Sequence, residues 1–209
     1  MSTKSHWEEV YQTKASHEVS WYQTEASLSL DFIQRAGLEP DANIIDVGGG
    51  SSILVDGLIK QGYRNLIVLD ISGESLAVSR ERLGNLGEPV QWLEADITQV
   101  KLPPQRYDLW HDRAVFHFLT TSEQRQTYVR TAQQSLKPDG QLIIATFAPD
   151  GPLQCSNLSV AHYDPTQLAA ELGTAFSLID YEYEAHRTPW GSTQSFVYCR
   201  FRLVRQNQQ

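Results

Sequence analysis

Five short apolar runs punctuate the chain at residues 43–47, 65–70, 90–96, 107–111 and 141–147. Each has the length of a strand. Helix-length segments lie among them. Residues 52–61 carry Ile53, Leu54, Leu58 and Ile59 near helical spacing and end at Gly62. Residues 74–83 stop near Gly84, and 121–136 stop at Lys137-Pro-Asp-Gly140. Buried strands alternating with helices require crossover connections, hence a mostly parallel sheet covered on both faces. After residue 147 the pattern changes. A short helix at 165–172 leads into two alternating β-rich runs, 176–185 and 195–203, close enough to pair as an antiparallel hairpin at the sheet edge. Two helices, 6–13 and 25–36, precede the sheet, with Trp21-Tyr22 between them. The expected fold is α/β: a doubly wound, mostly parallel seven-stranded sheet with an antiparallel C-terminal pair and two N-terminal helices.

A chain of 209 residues suits one domain. We read 1–209 as that domain, with 1–40 as a helical entry or lid segment and 41–205 as the core. Lys and Arg total 17 against 25 Asp and Glu, a net charge of −8, which argues against holding nucleic acid by bulk electrostatics. No apolar run approaches the ~18–20 residues that span a bilayer, and the start lacks the apolar core of a signal peptide. The expectation is a soluble, cytoplasmic protein without nucleic-acid or membrane partners. Cys155 and Cys199 form neither a disulfide framework nor a metal-ligand spacing, so no metal is expected. The tail from Gln206 to Gln209 is expected to fray.

The turn Asp46-Val-Gly-Gly-Gly-Ser-Ser52 stands where the first strand hands over to its helix. In doubly wound sheets this turn borders the ligand crevice. Glycines there let a ligand approach the backbone, although a purely structural tight turn has the same composition. A dinucleotide fingerprint would need Gly or Ala at position 53, where Ile53 stands, and the Gly-Lys-Ser/Thr of a P-loop is absent. The loop therefore suits a ligand without a pyrophosphate. Asp70 ends the second strand, where a carboxylate can accept from both ribose hydroxyls. Asp96 ends the third, where it can accept from an exocyclic amine beside the apolar Ile97. Any one of these acids could be a solvated cap; three on successive strands make a site.

Asp46-x-Gly-x-Gly50, Asp70 and Asp96-Ile97, in this order, resemble the class I S-adenosylmethionine-dependent methyltransferases, whose fold is Rossmann-like. The resemblance covers about residues 7–203. It implies S-adenosyl-L-methionine as cofactor. Asp46, Gly48, Gly49 and Gly50 would lie against its methionine part, Asp70 with Ile71 at the ribose, and Asp96 with Ile97 at the adenine. Ser52 departs from the pattern where many members have a third glycine; it can serve as a helix N-cap instead. The same resemblance makes the entry segment a lid, with Tyr22 bonding the cofactor carboxylate and Trp21 walling the acceptor site. Both rings could equally anchor the entry helices.

The fourth strand leaves through His111-Asp-Arg-Ala-Val-Phe-His117. This stretch resembles the Asp-Arg-Gly-x-x-His run of small enzymes related to thiopurine methyltransferases, with Ala114 in place of the glycine. His111 and Asp112 are the catalytic candidates, as base and as orienting group. Arg113, His117 and Phe147 are the substrate candidates. A structural account is available for each: Asp112 and Arg113 as a local ion pair, His117 as filling. The Asn/Asp-Pro-Pro-Tyr signature of base and amide methylation is absent. The loop at 148–162 is long enough to suspect function, but neither Cys155 as a nucleophile nor Cys155 with His162 as a metal pair is needed. A small-molecule acceptor in an enclosed pocket is the leading expectation. Protein lysine methylation is the alternative, because Trp7-Glu-Glu-Val-Tyr11 and Trp21-Tyr22 also resemble small lysine methyltransferases. A binding protein without transfer activity is a third reading, and a nicotinamide oxidoreductase is disfavoured by Ile53 and the terminal β pair.

Overall fold

The computed structural model describes residues 3–204, so the expected fraying of Gln206–Gln209 and the outermost residues of the domain assignment lie outside the described residues. The chain runs α1 (Lys4–Thr13), α2 (Ser27–Arg35), β1 (Asn43–Val47), α3 (Leu54–Lys60), β2 (Asn65–Asp70), α4 (Gly73–Leu83), β3 (Gln91–Glu94) and β4 (Tyr107–Arg113). It continues through α5 (Ser122–Ser135), β5 (Leu136–Phe147), the two-residue strands β6 (Gln154–Cys155) and β7 (Leu158–Ser159), α6 (Pro165–Leu172), β8 (Phe176–Arg187) and β9 (Thr193–Leu203).

Seven strands form one sheet in the order β3-β2-β1-β4-β5-β9-β8. The first five are mutually parallel, and β9 runs antiparallel to both neighbours, as expected of the two C-terminal runs. Ile45, Val47, Trp110 and Ile144 face α5 and α6, whereas Ile44, Leu109, Ile143 and Ala145 face α2 and α3. Burial on both faces is why these strands read as unbroken apolar runs.

Boundaries differ from expectation where side chains intervene. Ser52 accepts the Leu54 N–H at 3.1 Å, so it makes a turn and α3 begins two residues later than the apolar spacing suggests. The Lys137–Gly140 stop interrupts β5 as a bulge, since Tyr107 pairs with Leu136 but Leu109 with Gln141. The long loop after β5 holds the β6–β7 hairpin, turned by Ser156 and Asn157 at φ +51° and +62°. Cys155 and Cys199 are both free and buried. Among the described residues no helix is long and apolar enough to cross a membrane.

Candidate functional site

The carboxyl ends of β1, β2 and β4 converge on a cleft with a cavity volume of about 120 Å³. Its floor is the glycine loop. Gly48, at φ +71°, donates its N–H to Leu69 O at 2.7 Å, tying the loop to the end of β2. A Cβ at Gly48 would collide with a Val115 methyl group, so glycine is required twice over, by conformation and by the turn after β4. Gly49 lines a second, smaller chamber, while Gly50 lines neither and lets Asp70 and Ser75 pack onto the loop.

Asp70 is buried at the end of β2 and accepts the Ser72 N–H at 2.9 Å. Burial pushes its carboxyl up to about 7, against the lowering effect of the Ser72 and Ser75 hydrogen bonds. Asp46 and Glu8 push its pKa the same way as burial does. Ile71, Asp96, Ile97, Val115 and Phe118 continue the cleft wall. The Asp96 carboxylate is oriented by Thr98, through N–H and hydroxyl at 2.8 and 2.7 Å, and by Gln99 at 2.8 Å.

α1 roofs the cleft. Glu8 caps the start of α4 from outside, accepting from Ser72 Oγ at 2.8 Å and from the Gly73 and Glu74 N–H groups at 3.0 and 3.1 Å. Desolvation opposes the ionised Glu8, but those three bonds outweigh it and hold its pKa below the usual carboxylate value. Lys4 pairs with Glu94, Gln12 bonds Glu74 at 3.1 Å, and His6 bonds Ser156 of the β6–β7 turn at 3.1 Å. The helix thus bridges both rims. Beneath it Trp7 packs edge-on against Trp21 and Phe118, and Tyr11 against Trp21. Trp21 lines both chambers and Tyr22 only the second. Glu8 and Tyr11 were missed in the sequence. The signal available was a polar residue and a tyrosine three apart on an amphipathic entry helix, which does not say what the helix docks against.

The strand alternation of β4 separates its three candidate residues. His111 and Arg113 face α2, and Asp112 faces α5. His111 is 2% exposed, with Nδ1 2.7 Å from Asp46 Oδ1 and Nε2 3.0 Å from Ser29 Oγ. It borders the second chamber with both nitrogens engaged, so no lone pair is free to act as the expected base. Asp112 is fully buried and lines neither chamber. It accepts the Val115 and Phe116 N–H groups at 2.8 and 3.1 Å and the Tyr128 hydroxyl at 2.6 Å, which makes it the cap of the β4 exit and not an orienting group for substrate. Burial pushes its carboxyl up to about 7. The turn it caps holds Ala114 at φ +73°, the conformation glycine adopts freely.

His117 and Phe147 also stand behind the wall, both fully buried. The His117 ring lies 4.7 Å from the Phe147 ring and 4.5 Å from that of Phe118, and burial pushes its pKa down to about 3, so it stays neutral. Neither lines the cleft. Arg113 does, bordering both chambers. It makes no pair with Asp112. Its Nε donates to the Tyr198 hydroxyl at 2.8 Å, its Nη1 to Trp21 O at 3.2 Å, and its plane lies 4.5 Å over Phe196. Nη2 sits 3.5 Å from Glu184 and is a buried atom without a hydrogen bond.

These residues fit the adenosine and methionine parts of S-adenosylmethionine. A desolvated carboxylate at Asp70 is matched by two hydroxyl donors, and the Ile71, Ile97 and Val115 walls by a planar base.

Residues 45–144 match a family model described as a methyltransferase domain. Over 157 residues, 75% of this chain, the sequence is 25% identical to the eEF1A lysine and N-terminal methyltransferase of Mus musculus. The match spans only 22% of that protein's length. Over 122 residues, 57% of this chain and 49% of the relative, it is 28% identical to the ubiquinone biosynthesis O-methyltransferase of Yersinia enterocolitica. The Burkholderia thailandensis 1,6-didemethyltoxoflavin-N1-methyltransferase, solved with 1,6-didemethyltoxoflavin and S-adenosylhomocysteine, superposes with a TM-score of 0.72. That match covers 97% of this chain and 87% of the other, at 19% identity, and speaks for the fold.

Proposed function

We propose that the chain is a class I S-adenosylmethionine-dependent methyltransferase and that it methylates a small molecule held in the cleft beneath α1. The observation that carries this reading is the roof. α1 is fastened to α4 by Glu8 and to the β6–β7 hairpin by His6, and the 16–23 segment walls the second chamber. A site covered in this way suits a small acceptor kept from water better than a folded protein surface.

Bound cofactor supplies an activated methyl group on a sulfonium. What remains for the protein is alignment and exclusion of water, and alignment of this kind is worth roughly 7–11 kcal/mol. Asp70 holds the ribose, Ile97 and Val115 the adenine, and Gly48 and Gly49 give the methionine part close backbone approach. Trp21, Tyr11 and Tyr22 wall the transfer space, and Arg113, paired with Glu184, borders it. With His111 engaged on both sides, no side chain of β4 is free to take a proton. The reading therefore favours an acceptor that arrives as a free nucleophile.

Lysine methylation of a protein is the second reading, favoured by the similarity to the mouse lysine methyltransferase. One experiment separates them. Radiolabelled S-adenosylmethionine is turned over against pooled metabolites and against denatured cell proteins, and label is followed into the low- and high-molecular-weight fractions. Label in small molecules alone supports the proposal. Label in protein alone overturns it in favour of lysine methylation, and labelling of neither removes both.

A further inference from the structure

Residues 19–23 carry Trp21, which lines both chambers, yet they belong to no helix or strand. The carbonyls of such a segment have no ladder to bond, and a buried carbonyl without a donor is costly. Here the sheet supplies the donors. His186 Nε2 lies 2.7 Å from Ser20 O, and Arg113 Nη1 donates to Trp21 O at 3.2 Å. Two residues on, Gln23 Nε2 donates to Glu184 Oε1 at 3.3 Å. His186 and Glu184 both stand on β8, the edge strand, whereas Arg113 stands on β4.

These three sheet residues gather around one ring. Glu184 stands opposite Phe196, and His186 opposite Gln194, across the β8–β9 pair. The His186 ring meets Phe196 edge-on with centroids 5.9 Å apart, and the Arg113 guanidinium lies 4.5 Å over the same Phe196 ring. Arg113 and Glu184 offset each other's charge, Nη2 to Oε2 at 3.5 Å. His186 is 5% exposed. Burial first, and then Arg113, push its pKa below the ordinary value, against the Ser20 bond and Glu184, so the ring is neutral. A carbonyl only accepts, which puts the single ring proton on Nε2. The Ser20 and Trp21 carbonyls belong to the two peptide planes that flank the Trp21 α-carbon. Bonding both fixes the direction in which the Trp21 side chain leaves the backbone.

We infer that His186 is a positioning residue: from the edge of the sheet it holds the peptide ahead of Trp21, with Arg113 holding the one behind, and so sets where the Trp21 ring stands between the two chambers. The inference rests on the reading that those chambers take the cofactor and its acceptor. His186 itself lines neither chamber, so its effect on a ligand passes through Trp21.

The test uses His186→Leu, which keeps an apolar side chain against Phe196 and removes the donor, and His186→Gln, whose amide N–H stands in for Nε2–H. In protein labelled with 5-fluorotryptophan, the Trp21 fluorine signal is identified by its loss in Trp21→Phe. It should shift or split in His186→Leu and return in His186→Gln, while the Trp92 and Trp110 signals hold. S-adenosylhomocysteine should bind about ten-fold more weakly to His186→Leu, and within about two-fold of wild type to His186→Gln. In a Trp21→Ala background His186→Leu should change that affinity no further, because the two residues act as one unit. An unmoved Trp21 signal overturns the inference. So do equal shifts of all the tryptophan signals, an unaltered affinity in His186→Leu, or additive losses in the double variant. Failure of the wild type to bind S-adenosylhomocysteine instead refutes the reading of the cleft, and the fluorine signals then decide the anchoring role by themselves. Should His186→Leu not fold, His186→Asn, whose shorter amide does not reach Ser20 O, is read by the same signals.

Discussion

Replacing Asp70 by Asn should stabilise the ligand-free protein and weaken its hold on the cofactor, both in a pH-dependent way. The buried carboxyl is raised from its ordinary 3.8 to about 7, so folding favours its protonated form. A carboxyl of this kind gives its full stability below the unfolded value and loses it as pH climbs to the folded one. Between about 4 and 7 the loss is about 1.4 kcal/mol per pH unit, reaching about 4 kcal/mol above 7. Asp112, the other carboxyl near 7, titrates in the same window but is common to wild type and variant. The difference in unfolding free energy, from urea titrations of ligand-free protein, should therefore move about 2 kcal/mol in favour of Asp70→Asn between pH 5 and pH 7. Ribose hydroxyls need the ionised carboxylate. Wild-type affinity for S-adenosylhomocysteine should then fall about ten-fold for each pH unit below about 7, and that of Asp70→Asn should not follow it. Parallel stability profiles, or a wild-type affinity indifferent to pH between 5 and 7, would refute the account of Asp70 as a desolvated acceptor.

Glu8→Ala removes the carboxylate fastening α1 over the cleft. Allowing for its partial exposure, the loss of about 1 kcal/mol should release S-adenosylhomocysteine about five-fold faster in stopped-flow displacement, and an unchanged rate would mean that α1 does not gate exit. Asp112→Ala strands two N–H groups and the Tyr128 hydroxyl in the interior and should lower unfolding free energy by about 3 kcal/mol, measured in denaturant. A small loss would show that the exit of β4 does not depend on its cap. Ala114→Gly should raise stability by about 0.5–1 kcal/mol, because relief of the left-handed conformation outweighs the added freedom of the unfolded chain; a lower melting temperature would contradict this.

The sheet was legible because parallel strands buried on both faces leave apolar runs that no amphipathic helix produces, as Ile44-Ile45 and Leu142-Ile143-Ile144 show. The acids at the ends of β1, β2 and β3 were legible for a related reason: a charged residue closing such a run marks where the strand leaves the core. The β4 exit was harder. Strand position alone favoured His111 and Asp112, but alternation puts Asp112 on the α5 face with Tyr128, and Ser29, remote in sequence, engages His111. Glu8 was invisible for the same kind of reason. Nothing in α1 itself says that one of its acidic residues will meet the start of a helix sixty-odd residues away.

The strand order carries a consequence for how the site comes into being. β9 follows β8 along the chain but lies between β8 and β5 in the sheet. During synthesis β8 has no partner when it emerges, and β5 keeps an open edge until the later strand inserts between them. Such distant pairings close slowly, and open edges invite association with other chains in the interval. The glycine loop, Asp70 and Asp96 can be assembled by local β–α units before then. Arg113 cannot be set, because its Nε acceptor, Tyr198, arrives on the inserting strand. A nascent or truncated chain ending before β9 should thus have the glycine loop, Asp70 and Asp96 in place while Arg113 waits for the strand that completes the sheet.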